Sequence, residues 1–131
     1  MRQAGSGTVY GNLDVTVKDS LLPPGGVGFP AWKNPEAERP LYRVHLFVEG
    51  PDLPYVRSVT YTLHPTFPDR VRTVTRSASN PNCLLTIWTW GVFEVGVRIE
   101  DKKGTTYELT HAMRYGKEVA ETPQSSFRLA S

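Results

Sequence analysis

Apolar and polar residues alternate along most of this chain, in short runs bounded by turn-forming residues. In NLDVTV, Leu13, Val15 and Val17 share one side while Asp14 and Thr16 take the other, the two-residue period of a half-buried strand. LYRVHLFVE continues the pattern, with Tyr42, Val44, Leu46 and Val48 on one face and Arg43, His45, Phe47 and Glu49 on the other. EGPDLP supplies turn chemistry, and VRSVTYTLH then alternates with Val59, Tyr61 and Leu63 on one face. RVRTVT is a shorter strand, SASNPN a turn, and CLLTIWTW a strand that Gly91 ends. VFEVGVRIE puts Phe93, Val95, Val97 and Ile99 on one side, DKKG reads as a tight hairpin, and TTYELTH follows as its second arm. Strands recurring about every eight to twelve residues with turns between them predict an all-β antiparallel β-sandwich.

Three segments depart from that pattern. Residues 1–11, MRQAGSGTVYG, have the glycine and serine density of a flexible lead-in. Residues 20–40 hold five prolines and three glycines, which excludes a helix or central strand over most of that length. Phe29 and Trp32 are the residues there able to pin such a segment to a surface. No stretch has clear helical periodicity; the one helix candidate, MRYGKEVAE, is interrupted by Gly116. Residues 118–131 read as a polar, mobile tail, leaving a single domain over 12–117.

Composition narrows the function. A hydrophobic fraction of 39% with 21% charged residues is that of a folded soluble domain rather than a disordered one. The net charge of +2 and the dispersed arginines argue against nucleic-acid binding, although Arg70, Arg72 and Arg76 fall on one side of a strand. Cys83 is the single cysteine, so no internal disulfide forms and a cytoplasmic location is expected. No apolar run reaches the length of a membrane-spanning helix, and residues 1–20 lack a signal-peptide layout, so no membrane partner is expected.

Catalytic and metal-binding signals are missing. His45, His64 and His111 lie on separate segments without ligand-like spacing, so neither metal nor cofactor is expected. His45 and His111 read as strand residues with ordinary hydrogen-bond partners. There is no nucleophile elbow, and no glycine cluster sits between a strand and a helix as a phosphate loop requires. The chain is read as a non-enzyme with no catalytic residue. What remains is aromatic: Phe67 between Pro65 and Pro68 with His64 and Thr66 beside it, and Trp90 before Gly91 at the end of another strand. Two such rings either cap one end of the sandwich core or form a slot with polar groups at its edge.

The run from Leu41 to His111 resembles a YEATS domain, closest to the prokaryotic branch, through LYRVHLFVEGP, VRSVTYTLHPTFPDRVRTVT and LLTIWTWGVFEVGVRI. The pairing of L-H-x-[ST]-F with a following W-G-x-F carries the resemblance. It implies an immunoglobulin-like sandwich that reads acylated lysine. By position it implies that Phe67 and Trp90 are the walls of an aromatic sandwich. Thr66 would supply the hydroxyl that bonds the acyl-lysine amide, His64 would support that hydroxyl, and the main-chain N–H at Trp90 would meet the acyl carbonyl. Thr89 and Gly91, on either side of Trp90, complete the candidate ligand-binding set.

The chemistry is consistent with that implication. Acylation removes the lysine charge, so a planar amide can stack between π faces while keeping polar partners at its edges. An unmodified ammonium would lose its hydration with no carboxylate from the motif to meet it. A slot open at both ends admits acetyl or the longer, flatter crotonyl. Three residues depart from the family pattern: Thr89 for a glycine, Val92 for an acidic residue, and Trp88 for a small or polar one. The expected partner is therefore acylated lysine on a protein or peptide. Two alternatives stand beside it: a scaffold domain of a bacterial signalling or conflict system, bound to another signalling protein with the pocket vestigial, and a hydrolase using His64 as base.

Overall fold

Pleated strands present alternate residues to opposite sides, and the runs with that period pair into two sheets in the computed structural model, which describes residues 13–130. The lead-in expected at residues 1–11 lies outside the described residues. The strands are β1 (Thr16–Ser20), β2 (Ala31–Lys33), β3 (Leu41–Glu49), β4 (Val56–Thr62), β5 (Val71–Thr75), β6 (Leu85–Thr89), β7 (Glu94–Asp101), β8 (Thr106–Ala112) and β9 (Arg128–Leu129), with one helix, α1 (Tyr115–Glu121). The first sheet centres on β3, which pairs antiparallel with β1 through His45–Glu49, with β2 through Leu41–Tyr42 and with β6 through Tyr42–Leu46. The second runs β5-β4-β7-β8, all antiparallel. The result is the expected immunoglobulin-like β-sandwich.

The core forms where the inward sets of the two sheets meet. Val44, Leu46 and Val48 of β3 are fully buried, as are Val56, Val59 and Tyr61 of β4, and Val95, Val97 and Ile99 of β7 are nearly so. Leu13, Val15 and Val17 join them, as their spacing predicts. Tyr61 buries its ring, and its hydroxyl donates to the Cys83 carbonyl at 2.7 Å. Cys83 itself is buried in a left-handed conformation (φ 49°), and burial pushes its thiol up to about 11. At the far end of the sandwich Gly50 is required by its surroundings: at φ 140° an added Cβ would come within 2.6 Å of the Asp14 carbonyl oxygen.

The structure corrects two expectations. Residues 118–130 are not a loose tail, because α1 extends to Glu121 and β9 pairs parallel with β2. The reason is one ring: Phe127 stacks on Trp32 at 4.9 Å and tilts against Tyr42 at 5.7 Å, anchoring an otherwise polar run. Trp32 thereby also pins the irregular 20–40 segment, within which Ala31–Lys33 forms a short strand. The helix forms in spite of Gly116 because its first turn is held from outside, by Asp19 of β1. The second correction concerns β3, whose polar-looking face is also covered. Phe47 and His45 are buried, with Lys18 opposite Phe47 and Thr86 opposite His45.

His45 accordingly sits in a poor place for a charge. Its Nδ1 lies 2.9 Å from the Thr86 hydroxyl, and burial together with the nearby Arg43 guanidinium lowers its pKa to about 4. As pH falls, the unfolded chain takes up this proton near 6.5, before the folded protein does. The contribution of His45 to stability is thus complete above pH 6.5 and is lost between there and about 4. Urea unfolding over that interval is expected to show a loss of at most about 3 kcal/mol that is absent in His45→Gln. Parallel pH profiles for the two proteins would refute the assignment.

Candidate functional site

Three connections converge at the end of the sandwich where β4 and β6 finish and β7 begins: residues 63–70, residues 90–93, and the entry to α1. The first is closed by the chain itself. The Leu63 N–H donates to the Arg70 carbonyl at 2.6 Å, and the Phe67 N–H donates to the His64 carbonyl at 3.0 Å, a tight turn suited to Pro65. Within that turn the Thr66 N–H donates to His64 Nδ1 at 3.2 Å, which fixes this nitrogen as an acceptor. The Thr66 hydroxyl lies 2.9 Å from the same nitrogen; the two donors share its single lone pair, and the hydroxyl oxygen keeps its own lone pairs. Both residues are exposed, so a hydroxyl oxygen of fixed orientation faces solvent.

Phe67 is half-buried at the edge of the core, tilted against Phe93 at 5.6 Å, and the His64 ring meets the same Phe93 edgewise at 5.8 Å. Phe93 is thus a shared platform under His64 and Phe67. The sequence motif W-G-x-F contains it, but alternation assigned it only to the core.

The connection that carries Trp90 is organised differently. Thr89 is buried, facing inward opposite Tyr42, and its hydroxyl donates to the Gly91 carbonyl at 3.2 Å. The same carbonyl accepts from the Tyr115 hydroxyl at 2.7 Å. Burial above all pushes the Tyr115 phenol up to about 12, so it stays a donor at ordinary pH. Tyr115 is positioned in turn by Asp19, whose carboxylate accepts from the Tyr115 and Arg114 N–H groups at 2.8 Å and from His111 Nε2 at 2.7 Å. Glu118 returns the tie by accepting from the Ser20 hydroxyl and the Leu21 N–H. None of these partners is near Trp90 in sequence, which is why sequence reading missed Tyr115 and Asp19.

Between these fixed points Trp90 stands out at 54% exposure. One face of its indole carries the Arg39 guanidinium, 4.3 Å from the ring centroid. Among the described residues, Phe67 makes its ring contact with Phe93 and Trp90 makes its cation contact with Arg39; the two are not in ring contact with each other. The residues that depart from the family pattern point elsewhere. Trp88 lies opposite Arg43 on the outer sheet face under the Lys33 ammonium, Val92 is exposed, and the Thr89 side chain is turned inward. Of the histidines, His64 alone belongs to this end as an exposed group; His111 is partnered by Asp19, while His45 meets Thr86 through Nδ1 and its buried Nε2 has no hydrogen-bond partner among the described residues. Among the described residues no group of three or more metal-ligating side chains converges. No helix among them is long and apolar enough to cross a membrane.

A two-sheet sandwich with an aromatic and hydroxyl-bearing end defines a class, and the comparisons agree with it. The YEATS domain of Yaf9 solved with an H3K122suc peptide is 22% identical, over 79% of this chain and 77% of its own, with a TM-score of 0.53. A crystal structure of the yeast AF-9 homologue Yaf9 is 19% identical, over 77% and 69%, with a TM-score of 0.50. No curated protein matches the sequence at a significant level. The model of the prokaryotic YEATS domain matches residues 42–114, more than half of the chain, and the chain belongs to that family.

Proposed function

We propose that this protein is a non-enzymatic reader of acylated lysine, of acetyl or crotonyl type, carried on a partner protein or peptide. The observation that carries the reading is the Thr66 hydroxyl, locked by His64 at 2.9 Å with its lone pairs outward, beside the Phe67 ring and at the same end as the exposed Trp90. The acyl-lysine amide N–H donates to Thr66 Oγ1. The main-chain N–H of Trp90 donates to the acyl carbonyl, and the Thr89–Gly91 turn sets its direction. Phe67 and the indole face of Trp90 not covered by Arg39 enclose the planar amide. Unmodified lysine is refused because its ammonium meets no carboxylate there. The fold shared with a Yaf9 domain that recognises an H3K122suc peptide supports a peptide partner.

Titration of acetyl-lysine and crotonyl-lysine peptides, followed by tryptophan fluorescence and calorimetry, tests the reading. Saturable binding is expected for the acylated peptides and not for the unmodified one. Thr66→Val keeps the side-chain shape without the hydroxyl and should weaken binding roughly 5–10-fold, whereas Thr66→Ser should stay within about twofold of the parent. Absence of saturable binding, or a Thr66→Val variant that binds undiminished, would sink the proposal.

A further inference from the structure

Three of the four cation–π contacts among the described residues involve side chains on the outer face of the β3-centred sheet, and the fourth lies on Trp90 just past the end of β6. Arg43 of β3 lies directly opposite Trp88 of β6, so the two share that face. Lys33 of β2 sets its ammonium 4.3 Å from the Trp88 ring centroid. Trp90, just past the end of β6, carries Arg39 at 4.3 Å. At the other limit, Phe29 lies under both Arg128, at 4.1 Å, and Arg43, at 5.5 Å, and the Arg43 Nη2 donates to the Phe29 carbonyl at 2.8 Å. The row from Phe29 to Trp90 therefore holds four cations seated on three aromatic rings.

No carboxylate among the described residues forms an ion pair with this row. The ion pairs among the described residues are Lys18 with Glu49 and His111 with Asp19, neither of which involves these four cations. Glu36 and Glu38 lie on the segment that carries Arg39, but both are exposed and form no ion pair with it. Four cations with no ion pair among the described residues, three of them on one sheet face, concentrate positive potential there in a chain whose net charge is only +2. The rings hold the cation heads in place, so a partner's carboxylates meet donors already ordered and partly stripped of water.

We propose that this face is a docking surface for an acidic peptide segment of a partner protein. Single-stranded nucleic acid fits the same charge less well. Stacking of bases needs bare aromatic faces, and Trp88 and Phe29 already carry cations while Trp90 carries one on one of its two faces. Carboxylates need only the cations. The surface shares Trp90 with the slot but does not depend on acyl-lysine binding.

The test uses a short glutamate-rich peptide without acyl-lysine, its lysine-rich counterpart, a short single-stranded RNA, and an acetyl-lysine peptide with neutral flanks. The glutamate-rich peptide should bind saturably, with affinity falling at least about tenfold from low salt to about 0.5 M. The double variant Lys33→Ala, Arg128→Ala, with a circular dichroism spectrum matching the parent, should weaken it by about a further tenfold. The lysine-rich peptide should not bind. The proposal is overturned if the glutamate-rich peptide does not saturate, if the double variant binds it unchanged, or if RNA binds more tightly. The acetyl-lysine peptide separates the two readings. Its failure to bind beside a bound glutamate-rich peptide rejects the reader function and leaves this surface standing, and the reverse result rejects the surface alone.

Discussion

Trp90→Ala is expected to weaken binding of an acyl-lysine peptide by at least about 30-fold, since a buried aromatic anchor commonly contributes about 2 kcal/mol or more. The same change should leave the melting temperature within about 3 °C of the parent, because an exposed side chain contributes little to the core. Trp90 is 54% exposed, and its contact among the described residues is with a surface arginine rather than with the hydrophobic cluster. The turn beneath it is held by Tyr115 and Thr89, whose hydroxyls both reach the Gly91 carbonyl, so removing the indole does not release the backbone. Phe67→Ala should lose both binding and stability, since Phe67 is wedged against Phe93 and the core. Calorimetry of binding together with thermal unfolding checks both. An alanine at position 90 that binds as tightly as the parent would remove Trp90 from the site, and a melting temperature lower by more than about 6 °C would show that the ring caps the core instead.

The largest effect on stability is expected from Asp19→Ala. Asp19 of β1 and His111 of β8 face inward from different sheets and meet at 2.7 Å, with side-chain exposures of 1% and 6%. The carboxylate also receives the N–H groups of Arg114 and Tyr115 at the start of α1, donors that have no acceptor within the helix. Removing it leaves a buried imidazole and two backbone donors without their partner at once. Breaking a buried pair in this way costs about 3–5 kcal/mol, a large share of the roughly 5–15 kcal/mol that holds a domain of this size folded. Asp19→Asn keeps an acceptor oxygen and should lose distinctly less. Equilibrium urea unfolding measures both, and a loss below about 1 kcal/mol for Asp19→Ala would show that solvent substitutes for the carboxylate.

How much of this was legible in the sequence depends on the distance over which each cause acts. The strands were legible because pleating forces a period of two, and Val44, Leu46 and Val48 or Val95, Val97 and Ile99 are buried on the faces that period assigns. The local geometry of the turn at His64–Phe67 was legible for a similar reason. His64, Thr66 and Phe67 are near neighbours, and a proline-framed turn brings their groups together without help from the rest of the chain. The remainder depends on contacts that no local pattern announces. The α1 helix is short, carries Gly116 in its first turn, and is stabilised by Asp19, far away in sequence. Phe127 anchors a polar run because Trp32 and Tyr42 happen to be there to receive it. Tyr115 and Phe93 shape the site through a phenol and a ring edge that alternation counts only as apolar residues. The cation-covered face was equally hidden, since Lys33, Arg39, Arg43 and Arg128 are scattered along the chain and meet only when β2, β3, β6 and β9 assemble.

The parallel pairing of β2 with β9 also governs the order in which the molecule can be completed. Ala31 and Trp32 find their partners in Arg128 and Leu129, almost the whole described chain later, so this edge must wait while the two sheets assemble from nearer neighbours. Contacts so distant carry a large loop-closure cost and are favoured only after the intervening chain has collapsed. During synthesis the Trp32 ring therefore stays without Phe127 until every strand of both sheets from β1 to β8 has emerged, and the closing strand then turns a proline-rich segment into a seam.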